Sequence, residues 1–406
     1  MVPKEWEIKT IGDIATVSSG GTPSRKEQAY WNGDIPWVTT AEVQFKTILD
    51  SAEKITKEGL TNSSAKLFPI NTILMAMYGQ GKTRGQVAKL GIEASTNQAC
   101  AAIILSSDYC VDYYYQFLIY QYENIRDMSN SGSQENLSGS IVKSIPVLVP
   151  PYFEQEKIAQ ILSTWDQVIS VTEKLLENSQ QQKKALMQQL LTGKKRLLDE
   201  NGVSFSEDWH VLSLDELFFF KKGKGLSKDM ISESGQNKCI LYGQLYTKYL
   251  EVIKDVESLT DSTEGTLSMV GDILIPSSTT TSGIDLANAT ALLEDNVLLG
   301  GDINILRPKG NISSEFMAYL LTHIKKYEIA SRAQGITIIH LYGSDLKGIE
   351  VKIPKSIQEQ NKISELFSFV EHEIEAFQKK LDCLKQEKKA LMQQLLTGKK
   401  RVKVAA

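Results

Sequence analysis

The chain has 406 residues, of which 42% are apolar, so it is long enough for two to four domains with ordinary hydrophobic cores. Its formal net charge of −4 counts against a uniformly basic nucleic-acid-binding protein, although basic residues can still be gathered on one face. No apolar run reaches the ~20 residues of a membrane span, and the first residues lack a signal peptide's apolar stretch. Four scattered cysteines without a Cys-x-x-Cys pair favour neither a disulfide framework nor a zinc site. We therefore expect a cytoplasmic protein that holds no metal.

The first part of the chain, roughly Met1–Val149, alternates short β-branched and aromatic runs with Gly, Asn, Ser and Thr clusters. This texture is typical of a strand-rich α+β domain. A helix is predicted at Val111–Asn124. The predicted strands are Ile35–Thr39, Thr72–Met77, Ala101–Leu105 and Ile145–Val149.

A glycine-rich segment, Ala76–Thr83, follows the second of these strands. It comes within one residue of a phosphate-binding loop, but Ala76 stands where that loop needs Gly, and no convincing helix follows. A mobile loop that carries Gln80, Lys82 and Arg84 suits nucleic acid better, because Lys and Arg hold phosphates or read guanine and Gln can bond adenine. A solvated hairpin tip remains the alternative.

A long helix is predicted from about Glu154 to Leu191, since this stretch contains no Gly or Pro and Pro150-Pro151 precedes it. Thr192-Gly193 follows, where Gly can close the helix in the left-handed conformation. Apolar residues recur every seven positions in two rows, as at the a and d positions of a coiled coil. One row holds Ile158, Trp165 and Leu186, interrupted by Thr172, Ser179 and Lys183, which would tolerate or fix a register; the other holds Leu162, Ile169, Leu176 and Leu190.

The second half of the chain repeats this plan. Lys183–Arg196 is identical to Lys388–Arg401, 205 residues further on, and this period is far too long for a solenoid or a propeller. One large unit was therefore duplicated, and the second region, roughly Val203–Ile353, has a helix counterpart at Ser314–Ala330. The second long helix has apolar rows at Ile363, Val370, Phe377, Leu384 and Leu391 and at Phe367, Ile374, Leu381 and Leu395.

These patterns predict an α+β fold with two strand-rich domains in tandem repeat, separated by two long helices that pair as an antiparallel coiled coil. The predicted domains are 1–152 and 203–355, and the helical spacers are 153–202 and 356–406. Catalysis is not expected, because His210, His323, His340 and His372 show no metal spacing and no nucleophile elbow or carboxylate pair stands out.

The whole chain resembles the specificity (S) subunit of Type I restriction–modification systems. The resemblance rests on several motifs together, each of which is weak by itself. They are Ser19–Ser24 with Tyr30–Trp37, Asn136-Leu137-Ser138, Pro150-Pro151 with Glu154–Ile158, Leu186–Gly193, and Gly223–Ser227 with Tyr242–Tyr246.

The resemblance implies that each strand-rich domain is a target recognition domain reading one half of a bipartite, asymmetric target in double-stranded DNA. It also implies that the helices seat two methyltransferase (M) subunits, which restriction/translocase (R) subunits join for cleavage. S-adenosylmethionine, ATP and Mg²⁺ are then expected on those partners, and no cofactor on this chain. A 38-residue helix spans about 57 Å, enough to hold half-sites one DNA turn, ~34–36 Å, apart.

The residues predicted to contact DNA are loop residues that can bind phosphates or base edges: Arg25, Lys26, Tyr78, Gln80, Lys82 and Arg84 in the first domain, and Lys222, Lys224, Gln244, Tyr246, Ser278 and Thr279 in the second. Identity between the two copies, with methionines expected to be exposed, predicts a partner-binding face. Its residues are Met187, Gln188, Gln189, Met392, Gln393 and Gln394. For the neighbouring lysines, a solvated helix end is the competing interpretation.

Two other functions stay open. A coiled-coil adaptor that binds proteins at its globular ends would fit the acidic balance. The specificity chain of a methylation-only system would fit the same motifs.

Overall fold

The computed structural model describes residues 3–79, 81–128 and 136–403. The chain forms two compact units: unit 1 is Met1–Lys174 with Lys379–Ala406, and unit 2 is Leu175–Gln378. The division falls within both long helices. Each unit therefore contains one strand-rich domain, the N-terminal part of one long helix and the C-terminal part of the other.

Among its described residues, the strand-rich domain of unit 1 contains short helices and eleven strands. The strands are β1 Glu7–Thr10, β2 Ala15–Ser19, β3 Trp31–Val38, β4 Thr47–Ile48, β5 Glu53–Ile55, β6 Leu67–Phe68, β7 Ile73–Ala76, β8 Val87–Leu90, β9 Ala94–Thr96, β10 Cys100–Leu105 and β11 Pro146–Val149. The helices are α1 Ile11–Ile14, α2 Lys57–Thr61, α3 Val111–Tyr120, α4 Tyr122–Asp127 and α5 Gly139–Ser144, and the first long helix is α6 Tyr152–Leu190.

Unit 2 follows the same plan. Its strands are β12 Trp209–Ser213, β13 Phe218–Lys222, β14 Asn237–Ile240, β15 Val252–Ile253, β16 Leu259–Thr260, β17 Thr266–Leu267, β18 Asp272–Pro276, β19 Ser278–Thr279, β20 Thr290–Leu292, β21 Leu298–Leu299, β22 Ile303–Pro308, β23 Ile339–His340 and β24 Glu350–Pro354. Its helices are α7 Leu214–Leu217, α8 Gln244–Thr247, α9 Ser314–Tyr319, the π-helical turn Leu320–Ile324, α10 Lys326–Ser331, α11 Gly343–Leu346 and the long α12 Ile357–Leu395.

The two domains share one sheet topology. A five-stranded sheet has the order β2-β10-β7-β8-β4 in unit 1 and β13-β22-β18-β20-β15 in unit 2. A four-stranded sheet has the order β5-β3-β9-β6 and β16-β14-β21-β17, and β1-β11 corresponds to β12-β24. The duplication therefore extends through domains whose sequences barely match. Unit 2 also contains the strand pair β19-β23, and the position of β23 in unit 1 borders residues 129–135, which lie outside the described residues.

The predicted elements are largely confirmed. The four strand runs of the first domain are β3, β7, β10 and β11, and the helix expected at Val111–Asn124 is present as α3 and α4, which are separated at Gln121. The counterpart expected at Ser314–Ala330 is broken by the π-helical turn. The long helix expected at Glu154–Leu191 is α6.

The two long helices pair antiparallel, as predicted. In unit 1, Lys385 of α12 forms an ion pair with Glu173 of α6, with Nζ to Oε1 at 2.8 Å. In unit 2, Lys183 of α6 forms one with Glu371 of α12, with Nζ to Oε1 at 2.7 Å. The a and d residues are buried or half-buried, as knobs-into-holes packing requires. The expected polar interruption is also present, since Thr172 is buried and satisfies its hydroxyl on the Val168 carbonyl.

Both long helices close on a left-handed glycine, as predicted. Gly193 has φ +69° and Gly398 has φ +71°. The amide of Lys195 reaches back to the Gln189 carbonyl, and Lys400 bonds Gln394 in the same way. A side chain at Gly193 would press against the ring of Trp209.

Each C-terminal helix segment completes the hydrophobic core of the unit in which it lies. Met392, Leu395 and Leu396 pack in the core of unit 1, and Met187, Leu190 and Leu191 pack in that of unit 2. The expectation of exposed methionines is therefore wrong: Met187 is 4% exposed and Met392 is 6% exposed. The reason is helical periodicity, because positions i, i+3 and i+4 share one face.

Candidate nucleic-acid interface

The glycine-rich loop of the first domain, residues 77–86, joins β7 to β8 and is held by its backbone. The Gly81 carbonyl accepts a hydrogen bond from Arg126 of α4 at 3.0 Å, and the Lys82 carbonyl accepts one from Tyr122. The side chain of Lys82 is exposed, and Tyr78 is 41% exposed. The loop therefore presents a cation and an aromatic ring from a fixed backbone, which is the combination that stacks on bases and binds phosphate.

The other two predicted residues of this loop are placed differently. Arg84 is 8% exposed, so its guanidinium lies within the domain rather than on the loop surface. Gln80 lies outside the described residues. Tyr78 and Lys82 are the predicted residues of this loop whose side chains are exposed among those described.

Arg25 is engaged by its own domain. Its guanidinium forms two hydrogen bonds with Glu53, at 2.5 and 2.8 Å, and lies 3.8 Å from the centre of the Trp31 ring. The hydrogen bond with Glu53 raises the pKa of Arg25, and it lowers the pKa of Glu53. Lys26 is exposed beside it. The partner carboxylate lies 28 residues further along the chain, so no local sequence signal could have indicated the pairing.

In the second domain the structure brings Tyr246, Ser278 and Thr279 together. Ser278 and Thr279 form β19, which pairs with His340 and Ile339 of β23, and both are buried. Burial raises the pKa of Tyr246, and a hydrogen bond with Thr279 partly opposes that rise. These predicted residues thus meet at the β19-β23 strand pair.

Gln244 points into its domain. Its side-chain oxygen accepts from the Leu241 amide at 2.9 Å, and its side-chain nitrogen donates to Ser258 at 2.6 Å. The two lysines of this region are exposed: Lys222 lies 3.9 Å from Asp302, and Lys224 is on the next loop.

A hollow of about 240 Å³ lies next to β23 and includes two residues that the sequence analysis missed, His340 and Tyr342. Their rings are stacked, with centres 6.1 Å apart. Lys221, Lys222 and Ser344 also line the hollow. A His-x-Tyr spacing at the end of a strand places both rings on one face, and this is the signal that could have found them.

The identical ends of the long helices form equivalent ion pairs. In unit 1, Arg401 forms a forked pair with Glu154 of α6, and in unit 2, Arg196 forms one with Glu359 of α12, with Nη2 to Oε2 at 2.6 Å. Glu359 is fully buried. These cations are therefore structural.

Four exposed glutamines remain on the predicted partner face: Gln188, Gln189, Gln393 and Gln394. The methionine that precedes each pair of glutamines faces inward, so a partner would meet the amides and not the thioethers. This face is polar.

The four cysteines are not activated as nucleophiles. Burial raises the pKa of the Cys100 thiol to about 12, and burial also raises the pKa of Cys110 and Cys239. The charge of Glu387 raises the pKa of Cys383. Within residues 3–79, 81–128 and 136–403, no cluster of His, Cys, Asp or Glu is placed to hold a metal ion, and no helix could cross a membrane.

The family model described as the Type I restriction modification DNA specificity domain matches this chain twice, at residues 3–179 and 206–386. The chain therefore belongs to the family of Type I restriction–modification specificity subunits. No catalytic family is indicated.

Two relatives from Methanocaldococcus jannaschii illustrate the extent of the similarity. The MjaVIII specificity subunit is 25% identical over 99% of this chain and 94% of its own length. The MjaIX specificity subunit is 35% identical over 41% of this chain, and that match spans 39% of the relative. The EcoR124I/EcoR124II specificity subunit of Escherichia coli is 32% identical over 42% of this chain and 44% of its own length.

The fold is that of solved S subunits. The crystal structure of the Type I restriction–modification system S subunit from M. genitalium superposes with a TM-score of 0.63 at 18% identity, over 97% of this chain and 96% of that one. A chain of a type I R-M system that was solved to explain complex assembly superposes at 0.54 and 13% identity, over 98% of both chains.

Proposed function

We propose that this chain recognises a bipartite, asymmetric target in double-stranded DNA, with one half-site read by each strand-rich domain. The observation that carries this proposal is a shared framework with different surfaces. The two domains have the same sheet order, yet the connection after β7 in one is a glycine-rich loop with exposed Tyr78 and Lys82, whereas the connection after β18 in the other contains β19 and a hydroxyl-rich loop. Two different readers on one framework read two different half-sites.

The chain is the non-catalytic component of the complex. It directs methyltransferase subunits, and restriction/translocase subunits where they are present, to the site that it recognises. The exposed glutamines of the duplicated helix ends are the proposed seats of two methyltransferase subunits. S-adenosylmethionine, ATP and Mg²⁺ belong to those partners, and the complex acts on DNA in the cytoplasm.

Methylation mapping tests the proposal. DNA from cells that express a neighbouring methyltransferase, with and without this chain, should show a gapped, asymmetric motif only when the chain is present. Replacing residues 1–149 by another recognition domain should change one half of that motif and leave the other. A palindromic motif, or loss of both halves together, would contradict the assignment of one half-site to each domain.

Binding measurements separate this proposal from the adaptor reading. Affinity for DNA should fall steeply between low and physiological salt, because lysine contacts with phosphates release counterions. A methyltransferase that methylates the same sites without the chain would favour the adaptor. Methylation without any restriction activity would identify a methylation-only system.

A further inference from the structure

The Ile336 hairpin, residues Gln334–His340 of the second domain, carries an isoleucine almost entirely in solvent. Ile336 is 98% exposed and Ile338 is 50% exposed, whereas the neighbouring Ile339 packs against the core of unit 2. A single exposed apolar residue is ordinary on a protein surface. Here it lies in the turn of a hairpin that a bridge between Gln334 and His340 closes and whose second arm, β23, pairs with β19.

Several contacts hold the hairpin. Gln334 and His340 exchange backbone hydrogen bonds of 2.8 and 2.7 Å. Gly335 has φ +128°, and a Cβ there would lie 2.1 Å from the Ile338 carbonyl oxygen, so the turn requires glycine. The second arm of the hairpin, β23, pairs with β19 and continues into Leu341, which is buried in the core. Ile336 is therefore presented without a large ordering cost on binding.

The surroundings of the tip are polar and carry cations. Arg332 precedes the hairpin and is exposed, and Lys221 and Lys222 line the hollow beside His340. The adjacent loop has three exposed hydroxyl residues, Thr280, Thr281 and Ser282. Its Gly283 lies against Ala330 and Ala333 at the base of the hairpin.

Asp285, which follows this loop, is occupied by the loop's own hydroxyls. Asp285 accepts hydrogen bonds from the hydroxyls of Thr281 and Ser282, at 2.5 and 2.9 Å, which lowers its pKa. An apolar tip near the exposed cations Arg332, Lys221 and Lys222 suits duplex DNA, because cations bind phosphates while an apolar side chain contacts a base.

We infer that Ile336 is a specificity-determining residue of the second domain and contacts the C5-methyl group of a thymine in the major groove of that domain's half-site. The inference rests on the proposed function. The hairpin extends from the two-stranded β19-β23 sheet, and a two-stranded β-ribbon fits the major groove. The thymine methyl is the apolar group that the bases present there. Thr337, next to Ile336, is exposed and can bond a neighbouring base edge.

The test combines a protein variant with a base analogue. Once the motif is mapped, each thymine of the second half-site is replaced by uracil, which lacks only the methyl group. Binding of the complex of this chain with its methyltransferase is then measured. For the wild-type complex, replacing one particular thymine by uracil should lower the affinity for DNA about fourfold, the factor expected for one buried methyl group. Ile336→Ala should bind the thymine site about as weakly as wild type binds the uracil site, and should not distinguish the two.

Two control variants make the result specific. Ile336→Val keeps an apolar tip and should keep most of the discrimination. Ile8→Ala removes a comparably exposed isoleucine, 67% exposed on β1 of the other domain, and should bind both DNAs as wild type does.

The outcomes are separable. The inference is overturned if the half-site contains no thymine, or if Ile336→Ala still distinguishes thymine from uracil at every position. It is also overturned if Ile336→Ala binds DNA normally but no longer retains the methyltransferase, which would make the tip a protein contact. Failure of the proposed function is a different result, in which wild type itself gives no chain-dependent motif.

Discussion

Units 1 and 2 have matching frameworks and different reading surfaces. The forked pair of Arg401 with Glu154 in unit 1 recurs as the pair of Arg196 with Glu359 in unit 2. Arg196 and Arg401 are 205 residues apart, as are Glu154 and Glu359, and this is the separation of the identical helix ends. The surfaces show no such correspondence in the described residues, since a glycine-rich loop follows β7 in one domain and β19 with a hydroxyl-rich loop follows β18 in the other.

The same rule holds where the strand-rich domain meets α6 or α12. The side chain of Gln155 accepts from the Cys110 amide and donates to the Pro150 carbonyl. Gln360, its equivalent, accepts from Ser313 and donates to Pro354. Each end of a long helix thus makes the same contacts whichever domain it meets. Its sequence is tied to the shared framework, and the loops are left to vary.

The groove between the strand-rich domain and the long helices differs between the two units, unlike the contacts at the helix ends. In unit 1 the groove has about 880 Å³ and includes Lys46 from the strand-rich domain. In unit 2 the equivalent groove has about 330 Å³ and includes His323, which bonds Glu251. Lys46 and Glu251 each directly precede the last strand of the five-stranded sheet, so the charge is reversed at equivalent positions.

The largest expected effect concerns the buried ion pairs. Arg196→Ala should lower the free energy of unfolding by roughly 3–5 kcal/mol, because it leaves the fully buried Glu359 without its cation. Arg401→Ala should destabilise in the same direction and by less, since Arg401 is more exposed and is shared with Glu5. Urea denaturation of the full chain measures both.

The matched control is Lys195→Ala, which removes an exposed cation next to Arg196 and should change stability little. Equal losses for Arg196→Ala and Lys195→Ala would mean that the buried pair contributes nothing beyond surface charge. The claim of equivalent frameworks would then lose its main energetic support.

The next effect tests the correction on the helix ends. Met187→Ala and Met392→Ala should each cost about 2–3 kcal/mol of stability, because each leaves a cavity in the core of its unit. Gln188→Ala and Gln393→Ala should leave stability unchanged and weaken co-purification with the methyltransferase. If the methionine variants are instead stable but fail to retain the methyltransferase, the methionines contact that partner, as predicted from the sequence.

Much of the framework was predictable because it depends on local periodicity. Heptad spacing predicted the long helices, and the glycine after each helix predicted its left-handed cap. The burial of Met187 could also have been deduced, since Leu190 and Leu191 lie on the same helical face. The expectation failed because identity between copies was attributed to a partner, whereas a shared core requires identity equally.

The reading surface was less predictable because its geometry depends on long-range contacts. The partner of Arg25, Glu53, lies on a different strand, and Gln244 is turned inward by Ser258. The Ile336 hairpin had no signal of its own, since isoleucine in a β-branched run is typical of a buried strand. The exposure of Ile336 is seen only in the fold, where β23 pairs with β19 and leaves the turn of the hairpin in solvent.

The smallest expected effect distinguishes the two grooves by pH. Burial opposes ionisation of Glu251, but the hydrogen bond from His323 and the charge of Lys183 outweigh it, so its pKa lies below the ordinary 4.5. Tyr319 and Glu371 complete the surrounding groups, with the Tyr319 hydroxyl donating to Glu371 at 2.7 Å.

A lowered pKa means that ionised Glu251 contributes stability above pH 4.5 and that this contribution is lost as the pH falls through the folded-state pKa. Glu251→Gln should therefore cost about 1 kcal/mol at pH 7 and progressively less in acid, as followed by urea denaturation between pH 3 and pH 7. The matched variant in unit 1, Lys46→Met, should leave the decrease of stability between pH 7 and pH 3 as in wild type, because no carboxylate is removed. A difference between wild type and Glu251→Gln that is the same at every pH would show that packing, and not charge, stabilises this groove.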